Sequence, residues 1–114
     1  MYNEPMMHLL RAKASSEQIT AMAEEYAGYI KVVIDIERHV LVGGAERHVD
    51  EEQMLLADGS VQENLWGGGI DWETKEIDYN SMINLRPSQA NPSRDIMDTS
   101  IRKQFDQIVK DLLL

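Results

Sequence analysis

The chain has 114 residues, 43% of them hydrophobic, and 20 acidic side chains against 11 basic ones give a formal net charge of −9. This length and apolar fraction fit one domain, residues 1–114, able to bury a core without staples. There is no cysteine, which excludes disulfide scaffolds, thiol catalysis and thiolate metal sites, and the charge repels a phosphate backbone.

Met6 to Leu10 reads as a short first strand. Ser15-Ser16-Glu17-Gln18 has capping-box spacing, and Ile19, Met22, Ala23 and Tyr26 follow on one helical stripe up to a stop at Gly28. From Ile30 to Glu37 the period changes to two. Ile30, Val32, Ile34 and Ile36 face one way; Lys31, Val33, Asp35 and Glu37 face the other. Arg38-His39 turns the chain into a strand from Val40 to Ala45, although that turn lacks glycine or asparagine. Asp50 is the expected cap of a second helix, with Gln53 three residues on, a Val49–Met54 staple, and Gly59 as its end. Trp66, Gly68, Ile70 and Trp72 share one face of the next strand. A polar loop, 73–76, leads into a further strand from Ile77 to Arg86, closed by Pro87. After the loop 88–97, Asp98 caps a last helix whose apolar positions are Ile101, Phe105, Ile108, Val109 and Leu112.

The order β-α-β-β-α-β-β-α predicts an α+β domain. Its mainly antiparallel sheet of four to five strands is expected to carry about three helices on one face. The other face is then bare and polar, carrying Asp35, Glu37, Asp71, Glu73, Asp78, Asn80, Asn84 and Arg86.

Gly67-Gly68-Gly69 suggests a phosphate cradle, but it precedes a strand rather than a helix, and no Lys-Ser/Thr pair follows. The spacing favours backbone geometry: a bulge, a bend, or close approach beneath Trp66 or Trp72. Glu46, His48 and Asp50 alternate in an extended segment and project together, a set suited to Zn, Mn or Fe(II), or to a general base with an orienting acid. Each also has a plain structural reading, as surface charge, cap-region side chain and helix cap. Arg86, with Asn84 beside it, suits either a bidentate grip on an anion or neutralisation of nearby aspartates. No nucleophile elbow is present.

The segments Val33-Ile34-Asp35-Ile36-Glu37, Gly43-Gly44 with Glu46 and His48, Trp66-Gly67, and Ile83-Asn84-Leu85-Arg86-Pro87 together resemble a small bacterial family. It is classed only as a domain of unknown function, numbered fifty-six seventy-four. The resemblance covers roughly Leu9 to Leu112 and implies an intracellular single domain with no assigned activity. It transfers no catalytic residue, and it draws attention to Glu46, His48, Asn84 and Arg86.

Two readings follow. The first is a non-enzymatic binding or protein-interaction module using the open polar face (Asp35, Asp71, Asp78, Asn84, Arg86), with a protein partner or a second copy of the chain. The second is a small metal-binding protein or enzyme. It would use Glu46, His48 and Asp50 around a divalent metal, with His48, Glu46 and Arg86 as candidate catalytic groups. No complete acid, base and electrophile set supports it. The first reading needs no cofactor. Nucleic acid is not expected, because the basic residues near the end (Arg94, Arg102, Lys103, Lys110) are too few for a binding stripe. No apolar run approaches the roughly 18 residues that span a bilayer. The start, Met1 to Pro5, lacks a basic, apolar leader pattern, so the expected location is the cytoplasm.

Overall fold

The structure, a computed structural model, describes residues 7–24 and 26–114. Met6, the expected start of the first strand, lies outside them. The order is β1 (His8–Leu10), α1 (Ser16–Glu24), β2 (Tyr29–Asp35), β3 (Val40–Gly43), α2 (His48–Ala57), β4 (Leu65–Asp71), β5 (Ile77–Asp78) and α3 (Thr99–Leu112). Short 3-10 turns lie at Gln62–Asn64, Met82–Asn84 and Pro87–Gln89. The strands form one antiparallel sheet, ordered β1-β3-β2-β4-β5. The α+β class, the three helices and the order of the elements are as the sequence predicts.

Local signals explain several boundaries. The Ser15 hydroxyl accepts from the Gln18 amide (3.1 Å) while the Ser15 amide donates to Gln18 Oε1 (2.9 Å), closing the capping box of α1. Asp98 Oδ1 accepts from the Ser100 and Ile101 amides and caps α3. The β2–β3 turn manages without glycine because Asp35 organises it. Its Oδ1 accepts from the Glu37 and Arg38 amides, its carbonyl accepts from the His39 amide (2.9 Å), and His39 takes a left-handed φ of 56°.

The helices do not share one face. Ile30, Val32 and Ile34 of β2 point towards α1 and α3, packing with Met22, Phe105, Ile108 and Leu112. Val33 of β2, Val40 and Val42 of β3 and Leu65 of β4 point the other way, into a second core with Leu55 of α2. The sheet is therefore a middle layer with helices on both sides, and the expected bare polar face is covered by α2. Asp35 and Asn84, expected on that face, are fully buried, and Arg86 nearly so.

Two boundaries also differ. Helix α2 begins at His48 with Arg47 as its N-cap, and no side chain caps it; Asp50 sits inside the first turn. Strand β5 ends at Asp78 rather than running to Arg86. Beyond it the chain leaves the sheet, because the Asn84 side chain takes the place of the missing strand.

A cleft at the start of helix α2

The polar residues of 78–97 mostly build the fold. Asn84 Oδ1 accepts from the Gly67 amide (2.8 Å), and its amide nitrogen donates to the carbonyls of Gly67, Tyr79 and Arg94, each at 2.9 Å. The side chain thus reproduces the hydrogen bonding of a strand neighbour along the β4 edge that β5 does not reach. Asn91, within the loop 88–97, does the same for that loop. It donates to the carbonyls of Asn84, Ser93 and Asp95 and accepts from the Met97 amide.

Among the described residues Arg86 meets no carboxylate in a hydrogen bond. Its guanidinium stacks on Trp66 at 4.1 Å and donates to the carbonyls of Gln62 (2.9 Å) and Leu65. Burial lowers its pKa, partly opposed by the charge of Glu52. Asp71 closes the β4–β5 turn by accepting from the Glu73 and Thr74 amides. Asp78 accepts from the Tyr29 hydroxyl at 2.6 Å and from the Asn80 amide. Burial, then the hydrogen bond to Asp78, raises the Tyr29 pKa.

The three glycines are places of close approach, as their position before a strand suggests, but the neighbours are not the tryptophans. A Cβ on Gly67 would sit 2.7 Å from Ser81 Cβ; one on Gly68 would sit 2.7 Å from Phe105 Cζ and closer still to the Asp78 carbonyl oxygen. One on Gly69 would overlap the Tyr29 hydroxyl. Each glycine admits a different element to the surface of β4.

Glu46, His48 and Asp50 do not converge. His48 turns inward and donates from Nε2 to the Gly68 carbonyl (2.7 Å), Asp50 turns outward to Arg47 (3.2 Å), and Glu46 is exposed. Among the described residues no three His, Asp or Glu side chains are grouped to hold a metal ion. Because a carbonyl can only accept, the proton of His48 is on Nε2, leaving Nδ1 as the basic nitrogen. Burial lowers the His48 pKa and keeps the ring neutral.

These pieces frame one cleft, of about 290 Å³. Lys31, Arg47, His48 and Val49 line one side, and Ser81, Met82 and Ile83 the other. It lies between the uncapped start of α2 and the 82–84 turn. Its size is at or below the low end of small-molecule pockets, roughly 300–1,000 Å³, so it suits one or two side chains. Val49 and Met82 on its rim are 41% and 60% exposed.

Glu51, in the first turn of α2, is fully buried. Its Oε2 accepts from the Ala45 amide (3.0 Å), and its Oε1 has no hydrogen-bond partner. Burial, opposed by the Ala45 hydrogen bond and the Lys31 charge, pushes its pKa well above the ordinary carboxyl range. A raised acid pKa means that the folded chain holds a proton the unfolded chain has lost. Stability therefore falls as pH rises above the unfolded value of about 4.3, until the folded pKa is passed. Glu51→Gln keeps an acceptor for Ala45 and cannot ionise. The variant should match or approach the wild type near pH 4 and exceed it at pH 8. Urea midpoints across that range check this; a stability difference independent of pH would contradict a protonated Glu51.

A family model described as Protein of unknown function (DUF5674) matches residues 8–112. The chain belongs to this family. No curated protein and no solved structure matches it. The match spans both cores and the cleft of this DUF5674 domain. Among its described residues no helix is long and apolar enough to cross a membrane.

Proposed function

We propose that this domain is a non-enzymatic binding module that engages a protein partner through the cleft between the start of α2 and the 82–84 turn. The observation that carries this reading is the pairing of an apolar-lined cleft with two exposed apolar side chains, Val49 and Met82, on its rim. Exposed apolar groups around a concave site mark interaction surfaces. The polar residues first suspected of binding are instead engaged within the fold. Asn84 serves Gly67, Arg86 serves Gln62 and Leu65, and Asp78 serves Tyr29. The net charge of −9 favours a protein over a nucleic acid, and the reading requires no cofactor.

A second reading, a small enzyme, keeps one observation: a neutral His48 whose tautomer is fixed by the Gly68 carbonyl. The Ser81 hydroxyl in the same cleft is buried and accepts from the Ile83 amide, among the described residues no metal set stands beside His48, and an imidazole at a cleft serves equally as an acceptor for a partner's N–H group.

A photo-crosslinking residue at Met82, expressed in the source cells, tests the binding reading. Its control is the same residue at Gln104, on the exposed side of α3. A discrete protein adduct from position 82 and none from position 104 is expected. No adduct at 82, or equal adducts at both positions, rejects it.

A further inference from the structure

Resting on that reading, we infer that the cleft takes a peptide segment of the partner in which an apolar side chain stands next to a carboxylate. The chain as a whole is strongly acidic, yet among the described residues no carboxylate lines the cleft, while Lys31 and Arg47 do. Nearby carboxyl groups are already engaged. Asp50 pairs with Arg47, Asp78 accepts from Tyr29, and Glu51 lies buried against the Ala45 amide. The exposed Glu46 lies outside the lining.

The two cations are available in different ways. Lys31 Nζ donates to the Glu46 carbonyl (2.6 Å) and forms no ion pair with a carboxylate among the described residues. Two of its three protons remain for a ligand. Arg47 and Asp50 form an i,i+3 pair whose side chains are 69% and 43% exposed, the kind of pair that holds its geometry weakly. The positive end of α2 opens on the same place, and its N-cap residue, Arg47, makes no side-chain hydrogen bond to its first amides. An apolar side chain seated between Val49 and Met82 would exclude water from Lys31 and strengthen its attraction for a neighbouring carboxylate.

Amide NMR of the intact protein at low salt tests this with three blocked peptides: acetyl-Asp-Leu-Asp-Leu-amide, its Asn analogue and its Lys analogue. The acidic peptide should shift the amides of His48, Val49, Met82 and Ile83 saturably and bind at least about ten-fold more tightly than the Asn analogue. Lys31→Gln combined with Arg47→Gln should remove that preference without changing the fold. Equal binding of the acidic and Asn peptides, tighter binding of the Lys peptide, or no shifts at the cleft overturns the inference. So do cleft shifts that grow with protein concentration alone, which would make a second copy the occupant. An adduct at position 82 together with failure here leaves the binding reading standing with a partner of different chemistry.

Discussion

Gly68→Ala is expected to destabilise the domain by about 3–4 kcal/mol, among the largest effects of a single methyl group. The new Cβ would meet two neighbours at once, the Phe105 ring edge at 2.7 Å and, closer, the carbonyl oxygen of Asp78. The ring belongs to α3 and the carbonyl to β5, so relief requires moving both a helix and a strand. For a domain of this size the loss corresponds to a fall in Tm of about 10–20 °C. Phe105→Leu added to Gly68→Ala should recover little, because the Asp78 backbone remains in place and a cavity is added. Thermal unfolding of the single and double variants reads this directly. A loss under about 1 kcal/mol would mean that β5 and α3 do not lie against Gly68 as described.

Asn84→Ala is the second large effect, expected to cost about 3–5 kcal/mol. Four hydrogen bonds disappear together: the buried amide and carbonyl of Gly67 lose the partner that serves both, while the carbonyls of Tyr79 and Arg94 keep the backbone amides of Ile96 and Ser81. Each unsatisfied buried group costs about 1–3 kcal/mol, and the sum is not additive because the segment relaxes. Asn84→Asp should also be costly at neutral pH. It keeps the acceptor for Gly67, loses every donor, and places a carboxylate among carbonyls. Denaturant titration gives the energies. Faster hydrogen exchange at the Gly67 amide would show that the loss begins there. A mild Asn84→Ala would contradict the role of this side chain as a substitute strand.

Much of the fold is legible in the chain, and the limits are physical. The capping box at Ser15, the Asp98 cap and the apolar stripe from Ile101 to Leu112 are local signals, and local signals survive into the structure. The alternation of Ile30, Val32 and Ile34 places one face of β2 correctly. Parity also contained a warning. Val33 points opposite to those residues, and Val40-Leu41-Val42 is apolar without a break, as in a strand buried on both sides. Helix α2 hid the second layer because its sheet-facing side carries the buried carboxyl groups of Glu51 and Glu52 beside Leu55. Periodicity scores such residues as surface.

The candidate site was less legible. His48 stands out as a residue type, but its inward turn to Gly68 depends on a strand twenty residues away. Asn84 and Arg86 look like ligand-binding groups in sequence, and only tertiary geometry shows that they hold backbone carbonyls. The triple glycine was assignable to close packing, whereas its partners Ser81, Phe105 and Tyr29 come from three separate elements. The cleft itself joins residues 31, 47–49 and 81–83, a combination that no local pattern encodes.

The side of the sheet on which α2 lies decides whether that cleft exists. An NOE spectrum of protein labelled at its leucine, valine and isoleucine methyls and its phenylalanine ring measures this most directly. Cross-peaks from Leu55 to Val33 and Val42, with none from Leu55 to Phe105 or Ile108, are predicted. Cross-peaks between Leu55 and Phe105 would move α2 to the layer of α1 and α3, uncover Asp35, and leave no cleft for a partner to enter.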